Sequence, residues 1–177
     1  MAESLFKRAS KDALAFGGYL SAIFLASVLS GYVPFLSLVG LLLIIGLPVY
    51  VLFRMRTYYI DIRGLIPFSG LWMYGIMLFI FGAIICSAVS FIYLEYLDPD
   101  FLFNQFKMIL DFYKSVPELA DSEAALSMQT IFDKNQFPSA IQFVMSFMWA
   151  ISFSGSMLSI ILALITPVTV KKDKLLK

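Results

Sequence analysis

Residues 68–94 read FSGLWMYGIMLFIFGAIICSAVSFIYL, a stretch without a single charged side chain. Three further runs have the same character and cover residues 13–29, 35–53 and 140–168. An apolar run of about 17 to 25 residues is long enough to cross the hydrocarbon core of a bilayer as a helix. The sequence therefore predicts an all-α protein, a bundle of four transmembrane helices embedded in a lipid bilayer.

Composition agrees with this fold class and limits the chemistry. The chain has 177 residues, of which 60% are hydrophobic and 14% are charged, whereas soluble proteins carry about 25% charged residues. We expect one polytopic membrane domain over residues 1–177. The chain has no histidine and one cysteine, Cys86, so histidine-based catalysis, a histidine–cysteine zinc site and an intrachain disulfide are excluded.

The basic residues predict the orientation of the spans. Ten of the thirteen lysines and arginines lie before the first run, between the second and third, or after the fourth: Lys7, Arg8, Lys11, Arg54, Arg56, Arg63, Lys171, Lys172, Lys174 and Lys177. With four spans these segments share one side of the membrane, and the positive-inside rule assigns them to the cytoplasm. We predict that both termini are cytoplasmic. A cleaved signal peptide is the alternative for the first run, but that run is long for one and a second span follows closely.

Small residues mark the expected helix contacts. Gly17 and Gly18 in the first span, and Ser154 and Ser156 in the fourth, would let helix backbones approach each other closely. In the second span, Pro48 removes a backbone hydrogen bond. Just before the first span, Ser10 or Asp12 is expected to cap the helix.

The segment between the second and third runs, residues 54–67, mixes three arginines with tyrosines and aliphatic residues. This composition is typical of a loop that lies along the lipid headgroups. We therefore predict that Arg54, Arg56 and Arg63 are membrane-interface residues.

Residues 98–136 form the only sizeable segment expected outside the bilayer, on the extracytoplasmic side between the third and fourth spans. Apolar residues recur there at helical spacing, which predicts an amphipathic helix over about 102–113 and a second, weaker helix ending near Phe132. This loop carries seven acids and three lysines. We predict that Leu102, Phe106, Ile109 and Tyr113 contact a partner protein; packing on the protein's own bundle is the alternative.

Signatures of chemistry are missing from the sequence. No charged residue lies in the four runs, although proton-coupled pumps and ion exchangers usually need one. There is no metalloprotease helix, nucleophile elbow or phosphate-binding glycine loop. The small basic clusters flank the predicted membrane spans and do not indicate nucleic-acid binding. We expect no enzymatic activity, no cofactor and no metal.

The chain resembles a family of small four-span bacterial membrane proteins known as domain of unknown function 4199. The resemblance rests on the Phe16-Gly17-Gly18 start, on the stretch from Tyr58 through Arg63-Gly64 to Phe68-Ser69-Gly70, and on the spacing of the spans. It implies a location in the bacterial inner membrane. It also implies a setting beside envelope-building enzymes such as membrane-bound glycosyltransferases.

The expected function is that of an accessory or scaffold subunit of an envelope membrane complex. It would act through helix–helix contacts and through the outer loop. The alternative is a small oligomeric transporter or lipid-handling membrane protein, for which Pro48 and the serines of the fourth span would be the relevant features.

Overall fold

The computed structural model describes residues 5–116, 122–134 and 137–170. These residues form helices and contain no strand, which confirms the all-α prediction. The six helices are α1 (Leu5–Leu29), α2 (Phe35–Asp61), α3 (Phe68–Ile92), α4 (Phe101–Ser115), α5 (Glu123–Asp133) and α6 (Ala140–Thr169). One π-helical turn, Tyr93–Leu97, extends α3.

Four of the helices are long and apolar enough to cross a membrane, as the sequence predicted: α1, α2, α3 with its π turn, and α6. The lysines that follow α6 lie outside the described residues. By its contacts the chain divides into two compact units. Unit 1 comprises Met1–Val89 and Phe147–Lys177, and unit 2 comprises Ser90–Ser146.

In unit 1, α1 and α2 are antiparallel neighbours joined by a short turn. The amides of Tyr32 and Val33 both donate to the carbonyl of Leu29, each at 3.0 Å. Helix α2 contributes little to the core, because only 11% of its most apolar window is buried. Its exposed face presents Leu38, Leu41, Leu42, Ile45, Val49 and Phe53. Such a surface suits lipid, because acyl chains are as apolar as leucine.

The core of unit 1 is centred on α3, whose buried face meets α1, α2 and α6. Phe16, Leu71 and Leu78 are fully buried there. The ring of Phe16 contacts that of Phe79 edge-on at a centroid distance of 5.0 Å. Contacts of this kind stabilise a membrane bundle because tight packing replaces the hydrophobic effect, which gives no driving force within lipid.

Two local predictions are corrected at the basic ends of the helices. Helix α1 spans Leu5–Leu29 and runs without a break into the apolar run, so Ser10 and Asp12 lie inside it and do not cap it. Ser10 donates to the carbonyl of Lys7 within the same helix. Helix α2 continues to Asp61 and stays helical through Pro48, so the predicted loop 54–67 shrinks to residues 62–67. In this turn Arg63 and Gly64 adopt left-handed backbone angles, with φ of 54° and 70°.

Unit 2 contains the predicted amphipathic helix, which is α4, and the second helix, which is α5. The hydroxyl of Ser122 caps α5 by accepting a hydrogen bond from the amide of Ala125 at 3.3 Å. A cluster of phenylalanines holds the unit together. The ring of Phe137 lies 4.9 Å from that of Phe132 and 5.1 Å from that of Phe103. Hence α4 and α5 bury their apolar residues against each other and against the segment that precedes α6.

Candidate functional site

Asp12 is the most unusual residue of unit 1, because its carboxylate is buried within a helix long enough to span the membrane. The residue is 8% exposed. The hydroxyl of Tyr74 donates to its Oδ2 at 2.6 Å, and Nε of Arg8 donates to the same oxygen at 3.1 Å. Nη1 of Arg54 lies 3.3 Å from its Oδ1. Burying a carboxylate costs free energy unless it is paired and hydrogen-bonded, and here both carboxylate oxygens have a partner.

Three helices supply these groups, and the helical repeat explains how. Arg8 and Asp12 are four residues apart on α1 and therefore share one face. Arg54 and Asp61 stand two turns apart on α2, and Arg8 bridges the helices by donating from Nη2 to Oδ2 of Asp61 at 2.9 Å. Tyr74 comes from α3. We call Arg8, Asp12, Arg54, Asp61 and Tyr74 the Asp12 cluster; its two arginines and two aspartates balance in charge.

Aromatic rings surround the Asp12 cluster. Tyr74 is fully buried and stacks on Tyr58 with ring centroids 4.6 Å apart. Nε of Arg54 donates to the hydroxyl of Tyr50 at 3.2 Å, and its guanidinium carbon lies 5.5 Å from the Tyr50 ring centroid. These rings shield the Asp12 side of the cluster, whereas the Asp61 side chain is 49% exposed; the ion pairs around Asp12 are therefore the less screened ones.

The arrangement is suited to clamp three helices together. The Asp12 carboxylate accepts hydrogen bonds from the Tyr74 phenol and the Arg8 guanidinium, and it forms an ion pair with Arg54. Groups of α1, α2 and α3 are thereby joined at one carboxylate. Among the described residues, no group of three or more histidine, cysteine, aspartate or glutamate side chains stands close enough to hold a metal ion.

A second tyrosine ties α1 to α2 deeper in the apolar region. The hydroxyl of Tyr19 donates to the carbonyl of Leu43 at 2.6 Å, and its ring stacks on Tyr50 at 5.1 Å. Pro48 lies one turn further along α2 and has no amide hydrogen to donate. The carbonyl that loses its helical donor is that of Ile44, four residues before Pro48, so the Tyr19 bond lies next to this gap in the backbone hydrogen bonding.

A groove runs between α3 and α6 in unit 1, with a volume of about 280 Å³. Its lining residues are Ile80, Ile84, Met148, Trp149, Ser152, Phe153 and Ser156. Trp149 and Phe153 are 67% and 69% exposed, so they stand as its rim. The Ser156 hydroxyl donates to the carbonyl of Ser152 at 2.7 Å, and Nε1 of Trp72 donates to the carbonyl of Ser156 at 3.3 Å.

The residues predicted to pack helices occupy different environments. Gly17 lies against Ile85 of α3, whereas a Cβ added to Gly18 would meet open space. Ser154 is exposed and donates to the carbonyl of Ala150 in its own helix at 2.7 Å. Ser156 lines the groove.

The three arginines predicted to lie at the membrane interface also differ from one another. Arg54 belongs to the Asp12 cluster. Arg56 joins α2 to the end of α6 by donating from Nη2 to the carbonyl of Thr169 at 3.0 Å. Arg63 is exposed in the turn that follows α2.

In unit 2, two of the four residues predicted to bind a partner take part in internal packing or lie at its edge. Leu102 is buried, and the Phe106 ring lies 6.4 Å from that of Phe137. Tyr113 is partly buried, and Ile109 is 40% exposed. The most exposed apolar residues of α4 are instead Met108 and Phe112, at 63% and 60%.

Sequence reasoning missed the Asp12 cluster because it placed the boundary of the first span after Asp12. One local signal pointed to the pair, namely opposite charges at Arg8 and Asp12 with the spacing of one helical turn. No local signal points to Tyr74, which lies 62 positions away in an apolar run.

A family described as "Protein of unknown function (DUF4199)" matches residues 11–166. No curated protein and no solved structure matches the chain.

Proposed function

The chain belongs to the family of unknown function DUF4199, and from that premise we propose that it is an accessory or scaffold subunit of a bacterial envelope membrane complex. It resides in the inner membrane with both termini in the cytoplasm, as the distribution of basic residues favours. Unit 2 then lies on the extracytoplasmic side. The partner is an integral membrane protein, and an envelope glycosyltransferase-type enzyme is the class we favour.

One observation carries this proposal: α4 has a second apolar strip, on a face that unit 2 does not bury. Met108 and Phe112 stand one turn apart and are each about three-fifths exposed. Leu102 and Leu110, by contrast, are buried on another face of the same helix. Large apolar side chains exposed outside the bilayer mark contact sites for other molecules.

The charge of the outer loop favours a protein over a lipid surface as the occupant of this strip. Seven acids and three lysines in residues 98–136 give a net charge of 3 − 7 = −4. Amphipathic helices that bind membrane surfaces are usually basic. An outer loop with a net negative charge is instead complementary to a basic protein surface.

The absence of an enzymatic role belongs to the same proposal. The Asp12 carboxylate is more deeply buried than that of Asp61, the other acid among the described residues of unit 1, and it is already engaged by three side chains. We infer that the Asp12 cluster fixes the bundle so that its outer surfaces keep a constant shape.

The test is purification of the tagged full-length protein from native membranes in a mild detergent. We expect a stoichiometric membrane-protein partner, and we expect Phe112→Asp to lower its recovery at least about tenfold, as loss of an interface hot spot does. Gln129→Asp, which adds the same charge at an exposed position of α5, should leave recovery unchanged. Phe106→Asp is a poorer probe because Phe106 packs against Phe137.

The second candidate is a small oligomeric transporter or lipid-handling protein, and the groove between α3 and α6 is the observation that favours it. This candidate predicts a protein that purifies alone as a homo-oligomer and that Phe112→Asp does not disturb. That result would remove the accessory role.

A further inference from the structure

The groove between α3 and α6 has a low floor and a high rim. Ser152 and Ser156 are partly buried on its floor, whereas Trp149 and Phe153 project from α6. Ser152 and Ser156 stand near the middle of the 30-residue helix α6. At 1.5 Å per residue, Ser152 lies about 18 Å along α6 from the start of that helix. Because the hydrocarbon core is about 30 Å thick, this position falls in the interior of the bilayer.

The chemistry of the groove selects an uncharged occupant. Neither α3 nor α6 contains a charged residue. The hydroxyl of Ser156 already donates a hydrogen bond to the Ser152 carbonyl, so it does not require a polar group on a ligand. An electrically neutral, apolar groove at this depth is complementary to hydrocarbon and to little else.

The rim excludes a second helix as the occupant. A helix with its side chains is about 10–12 Å across, and membrane helices approach closely only where small residues line the contact. Here Trp149 and Phe153 stand out from the surface and would hold a neighbouring backbone away from the serine floor. A single hydrocarbon chain is thin and flexible enough to lie between these two rings of α6 and the wall that α3 forms.

We propose that this groove is a binding site for one acyl chain of a membrane phospholipid. Trp149 and Phe153, one turn apart on α6, contact one side of the chain, and Ile80 and Ile84 of α3 form the opposite wall. The small side chain of Ser152 leaves the space that the chain fills. The site does not depend on the accessory role, because it lies in unit 1 and the proposed partner surface lies in unit 2.

Native mass spectrometry of the purified full-length protein tests this site, with phosphatidylglycerol added to the detergent as the probe. We expect one phospholipid retained per chain. Ser152→Phe fills the groove and should lower the retained fraction at least about threefold, since the chain loses its packing contacts with the groove. Leu42→Phe makes a similar change on the exposed face of α2, where no groove-lining residue lies, and should leave retention unchanged.

Tryptophan fluorescence gives an independent reading, because the chain has only two tryptophans. In a Trp72→Phe background, Trp149 is the sole reporter. A phospholipid with brominated acyl chains, titrated in detergent, should quench it with a saturable curve of one lipid per chain. Adding Ser152→Phe should turn this curve into a shallow, non-saturating slope.

Two results would overturn the proposal. One is equal lipid retention by the unsubstituted protein and Ser152→Phe, together with non-saturating quenching in both, which would mean that only bulk lipid touches the groove. The other is a photo-crosslink from position 149 to a partner helix. Loss of the partner on Phe112→Asp with lipid retention intact would leave this site standing, so the two proposals fail separately.

Discussion

The Tyr74 hydroxyl and the Asp12 carboxylate are joined by a hydrogen bond of 2.6 Å that connects α3 to α1. It is the shortest of the contacts that Asp12 makes, and both residues are buried. The phenol donates to a carboxylate that is also paired with Arg8 and Arg54, so the acceptor of this bond is a charged group. Bonds of this type are about twice as strong as neutral ones.

Tyr74→Phe removes this donor and keeps the ring that stacks on Tyr58. We expect the free energy of unfolding to fall by about 2 kcal/mol, the value for a hydrogen bond to a charged group. Titration of the detergent-solubilised protein with SDS, followed by circular dichroism, measures the change. Tyr58→Phe is the matched control, since Tyr58 keeps the same stack. An equal loss of unfolding free energy in both variants would contradict a specific contribution from the hydrogen bond between Tyr74 and Asp12.

Asp12→Ala leaves Arg8 and Arg54 without their shared carboxylate and Tyr74 without its acceptor. Breaking a buried ion pair from one side costs about 3–5 kcal/mol, and we expect a loss of that size in the same SDS titration. Asp61 is a useful comparison because its side chain is 49% exposed. Asp61→Asn should therefore cost less than about 1 kcal/mol, as exposed pairs do. Equal costs at the two positions would contradict the clamp.

Gly155 and Gly18 predict opposite effects of the same substitution. A Cβ at position 155 would overlap the ring of Phe79, whereas one at position 18 would meet nothing. We expect Gly155→Ala to destabilise by about 1–3 kcal/mol through overpacking. Gly18→Ala should be neutral or stabilise by up to about 1 kcal/mol, because alanine favours helix more than glycine. Thermal melting monitored by circular dichroism measures the change in melting temperature of each variant. Changes of the same sign in Gly155→Ala and Gly18→Ala would contradict this packing.

Single cysteines test the proposed orientation. Cys86 is buried, so Cys86→Ala gives a background without thiols. Tyr32, in the turn between α1 and α2, is 72% exposed, and Leu65, in the turn between α2 and α3, is 85% exposed. We expect a membrane-impermeant maleimide to label Tyr32→Cys in intact spheroplasts and Leu65→Cys only after lysis. The reverse pattern would place both termini outside.

The sequence was a good guide to the helices because hydrocarbon imposes a simple rule on composition and length. Residues 68–94 could hardly be anything but a span, and the periodicity of residues 102–113 predicted α4 correctly. Helix ends were less predictable. Arg54 and Asp61 read as loop residues because they are charged, yet they lie inside α2, where Arg8 and Asp12 of α1 neutralise them.

The candidate sites depended on contacts that no local pattern reveals. The apolar face of α4 was correctly recognised as apolar, but periodicity cannot tell whether such a face meets α5 or a partner. Leu102 is buried in unit 2, and the exposed strip at Met108 and Phe112 emerged only from the packing. The groove likewise depends on how α3 and α6 lie together, which the sequence of neither helix specifies.

The position of Asp12 inside α1 has a consequence for biogenesis. When α1 emerges from the ribosome, only Arg8 can offset the aspartate, since Arg54 and Tyr74 have not yet been made. Asp12 is the eighth of the 25 residues of α1, so its charge costs less during insertion than the roughly 2.5–3.5 kcal/mol of a charge at a helix centre. We expect the contacts of Asp12 with Arg54 and Tyr74 to form only after α2 and α3 have been made, so the first three helices reach their final packing together.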